Sequence, residues 1–90
     1  MGKVYVVGIG PGNREGMTLQ AVSAIRESTV IAGYTRYLEL IPDLCQGKRI
    51  ISTPMTGETR RCRMALQAAQ EGATVAMVCS GDAGVYGMAG

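Results

Sequence analysis

The sequence contains no histidine, no tryptophan and no phenylalanine. Without histidine there is no imidazole base and no Ser–His or Cys–His pair, and the commonest metal ligand is missing. The three cysteines, Cys45, Cys62 and Cys79, are odd in number and form no CxxC pair. That argues against a disulfide framework and a zinc site, and points to reduced thiols in the cytoplasm. Long apolar runs are also lacking. None approaches the about 20 residues of a membrane span, and the amino-terminal run is too short for a secretory signal. Val6 stands where a myristoylation signal takes Ser or Thr. Net charge is only +2, too small for the basic face that a nucleic-acid partner requires.

Aliphatic residues and glycine take the place of what is missing. Hydrophobic residues make up 47% of the 90, and 13 residues are glycine. A chain of this length makes one small domain, and its core must come from Val, Ile, Leu, Met and Ala.

Lys3 to Val7, ending at Gly8, reads as a strand buried on both faces, as in a parallel sheet. Thr18 suits a helix N-cap, with Leu19, Val22 and Ile25 at helical spacing behind it. Thr29 to Ala32 reads as a second strand, closed by Gly33. Tyr34 to Ile41 has Tyr34, Tyr37, Leu38 and Ile41 at helical spacing, and Pro42 stops that helix. Lys48 to Ser52 is a third strand. The best helix runs from Glu58 to Glu71, with Cys62, Ala65, Leu66 and Ala69 as its apolar stripe and Gly72 as its stop. Burial of Leu66 in that stripe would contribute roughly 1.5–3 kcal/mol. The cysteines read as small buried residues. Thr74 to Cys79 is a fourth strand, and Val85 onward reads as the start of another helix. Alternating strands and helices predict an α/β fold, an open, mostly parallel sheet with flanking helices and right-handed crossovers.

Two glycine-bearing loops follow the first and fourth strands: Gly8 to Asn13, and Ser80 to Val85. In open parallel sheets the carboxyl ends of the strands are where ligands sit. Either loop alone is equally readable as a tight turn. A dinucleotide fingerprint fails, because Asn13 stands where GxGxxG needs glycine, Pro11 removes a backbone N–H, and no acidic residue follows the second strand. A nucleoside-triphosphate loop, GxxxxGK[ST], is absent as well.

These residues resemble the tetrapyrrole methylases. Val7-Gly8-Ile9-Gly10-Pro11-Gly12 is similar to the opening motif of that family, and Ser80-Gly81-Asp82-Ala83-Gly84-Val85-Tyr86-Gly87-Met88-Ala89-Gly90 to its second glycine motif. Ile31 to Leu38 and Met55 to Arg63 resemble the subgroup that methylates C17 of precorrin-3B or its cobalt form. The resemblance covers the whole chain.

The resemblance implies a two-domain enzyme that binds S-adenosyl-L-methionine in the cleft between its domains. Residues 1–90 would be its N-terminal α/β domain, truncated, with four of five sheet strands present and the C-terminal domain absent. Cofactor contacts would be Pro11, Ser80, Gly81, Asp82 and Val85. Asp82 is equally placed to cap a helix beginning near Val85, and Ala83 replaces a proline frequent in the family. Substrate-side candidates are Gly10, Thr35, Arg36 and Arg60. Thr35 stands where some members carry an acidic residue, and no residue is assigned as the catalytic base. The reaction implied is methyl transfer to C17 with ring contraction, in cobalamin biosynthesis. Alternatives are another tetrapyrrole methylase, or a non-enzymatic nucleotide-binding module.

An anionic tetrapyrrole partner follows from the same resemblance, and a homodimer is expected because truncation would leave a strand edge unpaired and an apolar cleft floor bare. Arg60, Arg61 and Arg63 sit in the first turns of a helix, where the macrodipole favours acids. They read either as a docking face for carboxylates or as a solvated face offset by Glu58.

Overall fold

The computed structural model describes residues 2–9, 17–54, 57–79 and 84–89, with Glu58 and 84–89 described as backbone alone. The elements are β1 (Lys3–Gly8), α1 (Leu19–Glu27), β2 (Val30–Tyr34), α2 (Thr35–Leu38), α3 (Pro42–Cys45), β3 (Arg49–Thr53), α4 (Glu58–Gln70), β4 (Thr74–Cys79) and β5 (Gly84–Ala89). They build one sheet in the order β3-β2-β4-β1-β5. The first four of those positions are mutually parallel, and β5 alone is antiparallel to its neighbour β1.

Successive side chains of a strand face opposite sides of the sheet, and here both sides are apolar. Val7, Ile31, Ala76 and Val78 face one side and meet Ala21, Ala24 and Ile25 of α1, Leu38 of α2, and Ile41 and Leu44. Val4, Val30, Ala32, Ile51 and Val75 face the other and meet Ala65, Ala68 and Ala69 of α4. Burying Ile25, fully inaccessible, contributes about 1.5–3 kcal/mol. The result is a three-layer α/β sandwich with the mostly parallel sheet that the strand–helix alternation predicts.

The helix ends follow local chemistry. Thr18 caps α1, its Oγ1 accepting the Ala21 N–H at 3.0 Å. Ser28 closes it, its hydroxyl donating to Ala24 O at 2.7 Å. Gly72, at φ +102°, stands just past α4 in a conformation that side-chain-bearing residues rarely adopt.

Four expectations are corrected. The helix predicted over Tyr34 to Ile41 shortens to α2, and a separate helix, α3, follows where none was predicted. A residue before proline is pushed out of the helical region, and Ile41 sits at φ −130°, ψ 49°, while Pro42 begins the next helix instead of only ending one. Leu19, expected in the stripe of α1, is 89% exposed, because the stripe runs through Ala21, Ala24 and Ile25. In α4 the stripe is Ala65, Ala68 and Ala69, which leaves Leu66 at 41% exposure and Cys62 exposed; Cys45 and Cys79 are half-buried. Alanine faces let a helix backbone approach the sheet closely, so the larger neighbours turn outward. Last, residues 84–89 form a strand where the sequence predicts a helix start, so the sheet has five strands where four are expected. The whole length of β1 pairs with it, from Lys3↔Ala89 to Gly8↔Gly84. Val85 and Tyr86 favour strands and Gly87 weakens a helix. The otherwise open edge of β1 supplies the backbone partners.

Candidate functional site

Because β1, β2, β3 and β4 are parallel, their carboxyl ends share one rim of the sheet. β1 and β4 are adjacent there. Gly8 pairs with Cys79, the Ile9 N–H donates to Cys79 O at 2.9 Å, and the Cys79 thiol approaches Val7 O at 3.5 Å. Gly8 is also opposite Gly84 of β5. The two glycine segments therefore depart from neighbouring positions, with the segment after β4 beginning and ending beside Gly8. The described residues at these strand ends are Gly8, a fully buried Ile9 and Cys79, which is half-buried.

Gly10, Pro11, Ser80, Gly81 and Asp82 lie outside the described residues. Val85 lies in β5 opposite Val7, with its backbone alone described. With a strand rather than a helix there, no helix begins at Val85 for Asp82 to cap.

The second part of the rim lies at the ends of β2 and β3. An open depression of about 850 Å³ is lined by Tyr34, Thr35, Arg36, Tyr37, Glu39, Leu40 and Pro54. Tyr34 and Tyr37 meet edge to face, with ring centroids 5.1 Å apart and planes at 87°, a favourable aromatic geometry. Arg36 is exposed and brings a permanent cation to this lining, and Glu39 brings an opposing charge. Thr35 Oγ1 donates to Thr53 O at 3.3 Å, tying the start of α2 to the end of β3.

The predicted substrate-side residues thus separate. Thr35 and Arg36 share the depression, whereas Arg60 is exposed in the first turn of α4 and is not among its lining residues. Of the three arginines on α4, Arg60 and Arg63 are exposed, while Arg61 is half-buried and turned back to β3. Its Nη1 donates to Thr53 Oγ1 at 2.6 Å and to Pro54 O at 3.2 Å. Tyr37, Leu40 and Pro54 escaped sequence reasoning as lining residues. Only Arg61 left a trace there, as a basic residue placed against the helix dipole.

No described helix is long and apolar enough to cross a membrane. Among the described residues, no group of three or more His, Cys, Asp or Glu could hold a metal ion.

Known proteins of similar sequence cover nearly the whole chain. The chain is 53% identical over 89 residues to the cobalt-factor III methyltransferase of Priestia megaterium, covering 99% of this chain and 16% of that protein. It is 44% identical over 85 residues to the probable cobalt-factor III C(17)-methyltransferase of Salmonella typhimurium, covering 94% of this chain and 35% of that protein. It is 47% identical over 87 residues to the cobalamin biosynthesis protein CbiHC of Archaeoglobus fulgidus, covering 97% and 19%. The chain thus spans from 16% to 35% of the length of these curated relatives. The family model of tetrapyrrole (corrin/porphyrin) methylases matches residues 3–90. With a parallel sheet whose two glycine segments leave from adjacent strand ends, and a family match over nearly every residue, this chain belongs to the tetrapyrrole (corrin/porphyrin) methylases.

Proposed function

We propose that these residues form one wall of an S-adenosylmethionine-dependent C-methyltransferase. It acts at C17 of cobalt-factor III or precorrin-3B, with ring contraction, in cobalamin biosynthesis. The observation that carries the reading is the Ile9–Cys79 hydrogen bond at 2.9 Å, which roots both glycine segments at one rim, on β1 and β4, with β4 adjacent to β2 and its tyrosine-lined depression.

When bound, S-adenosylmethionine supplies an electrophilic methyl group on a sulfonium. In this reading Pro11 offers an apolar edge to the nucleoside. Ser80 and Gly81 present backbone polar groups, and Asp82 gives a carboxylate to the cationic end; Val85 is the fifth contact that the family resemblance implies. The depression takes the other reactant. Tyr34, Tyr37, Leu40 and Pro54 match a flat macrocycle, and Arg36 matches one of its carboxylates. Gly10 allows close approach, and Arg60 waits at the periphery. The nucleophile is an electron-rich carbon of the substrate itself, so the protein chiefly holds two reactants in line, which can lower a barrier by several kcal/mol (about 7–11 in well-oriented cases). A chain without histidine suits that division of labour.

The direct test is incubation of an enzyme carrying this domain with methyl-labelled S-adenosylmethionine and cobalt-factor III. One labelled methyl group on the contracted macrocycle is expected, with Asp82→Ala weakening cofactor binding and Arg36→Ala raising KM for the macrocycle. Methyl transfer to uroporphyrinogen, with none to cobalt-factor III, would move the chain to another branch of the family.

A further inference from the structure

We infer that Arg61 is a positioning residue for the macrocyclic substrate, fixing both sides of the depression at the rim through Thr53 and Pro54. The inference rests on the proposed reading of that depression as the substrate side.

One side of the depression is Pro54, directly after β3. The other is Tyr34, the last residue of β2, with Thr35 to Tyr37 of α2. Arg61 reaches both. Its Nη1 donates to Pro54 O, which holds the first side, and to Thr53 Oγ1. Thr53 O in turn accepts the hydroxyl of Thr35, which anchors the second side. Thr53 is 5% exposed, so its polar atoms depend on these partners; a buried hydroxyl or carbonyl left unpaired is costly. Close packing leaves this junction little slack. The Gly57 N–H donates to Pro54 O at 2.9 Å, and a Cβ at position 57 would stand 2.8 Å from Thr53 Cβ.

These contacts account for the placement of Arg61. It sits in the first turn of α4, where a cation is disfavoured by the dipole, yet it is half-buried while Arg60 and Arg63 face solvent. A guanidinium suits the task because its fixed planar fork serves two acceptors at once, whereas a lysine ammonium is a flexible point donor. Arg61 touches neither reactant in this arrangement. It acts through Thr53 and Pro54 on the residues that do.

The test uses Arg61→Ala, Arg61→Lys, Thr35→Val and the Arg61→Ala/Thr35→Val pair, with uroporphyrin as a stable polycarboxylate porphyrin probe. Amide resonances of Thr35, Arg36 and Tyr37 should move in Arg61→Ala while those of β1 stay in place. Arg61→Lys should restore part of the shift. Thr35→Val should reproduce it, and the pair should add little to either single change. Uroporphyrin should bind about tenfold more weakly to Arg61→Ala, the loss expected if about one molecule in ten keeps the braced depression in its binding shape, with S-adenosylhomocysteine binding unchanged. Unmoved amides at 35–37 overturn the inference whatever the probe does. Uroporphyrin bound equally by wild type and Arg61→Ala overturns the role of Arg61 alone. A wild-type chain that binds no uroporphyrin defeats the substrate reading, and this role with it. Thr35 is exposed, so Thr35→Val keeps the test valid if Arg61→Ala fails to fold.

Discussion

Lys48 closes the carboxyl end of α1 from a distance in sequence. Its Nζ donates to Arg26 O at 3.0 Å and also to Ser28 O, so a cation meets the negative end of the helix dipole. Thr18 does the opposite service at the other end, and Thr18→Ala should cost about 1 kcal/mol in a denaturant melt. The cysteines differ by environment. Burial, and secondarily the Asp43 carboxylate, push the Cys45 thiol above its ordinary value of 9.0; Cys62 is exposed. Iodoacetamide near pH 8 should therefore label Cys62 well before Cys45, as peptide mass spectrometry would read, and equal rates would contradict the burial. The sign for stability follows. Folded Cys45 keeps its proton to higher pH than the unfolded chain does. Its contribution is intact below the ordinary thiol range and falls as pH rises through it.

The two long helices meet the sheet through alanine. α1 uses Ala21 and Ala24 with Ile25, and α4 uses Ala65, Ala68 and Ala69. Leu66→Ser should change stability by no more than about 0.5 kcal/mol, as an exposed position does. Ala65→Leu should cost about 1–3 kcal/mol by overpacking against Val4 and Val75. Thermal melts of the two variants compare them directly, and a larger loss for Leu66→Ser would return Leu66 to the core. The period of each helix was legible from its residues, but its rotation was not. Leu19, Cys62 and Leu66 share the helical spacing of the buried alanines, and only contact with the sheet decides which set turns inward. The strands fared better. Val4, Val7, Ile31, Val75 and Val78 are buried on opposite faces, as continuous apolar runs require.

β5 covers the outer edge of β1, and β3 stands at the other end of the sheet, with no further strand on its outer edge among the described residues. Ile50 on β3 is 41% exposed, beside an apolar depression of about 370 Å³ lined in part by Leu38, Pro42 and Cys45. An open strand with an apolar residue favours association. The homodimer expected from an unpaired strand edge and a bare apolar face is a proposal, and light scattering at high concentration should show it. Ile50→Lys should shift the population toward monomer if β3 forms the contact, and a monomeric wild type would remove the dimer. If the chain forms one wall of the cofactor site, calorimetry should give weak S-adenosylmethionine binding to these 90 residues and tighter binding to a protein of the relatives' length. Micromolar affinity in the 90 residues would refute the one-wall reading.

Local chemistry written in the chain was enough for the α/β class, the four parallel strands, the cap at Thr18, the stop at Gly72 and the family motifs. Each depends on neighbours close in sequence or on a periodic pattern. Contacts between distant segments decided the rest. Pairing along β1 drew residues 84–89 into a strand where their own spacing reads as a helix start. The sheet surface chose which face of α1 and α4 is buried. The meeting of Thr35, Thr53 and Arg61, from the starts of α2 and α4 and the end of β3, turned an arginine that reads as a solvated charge into a brace for the rim. A hydrogen bond between residues 18 positions apart leaves no periodic trace, so it exists as information only once the chain has folded.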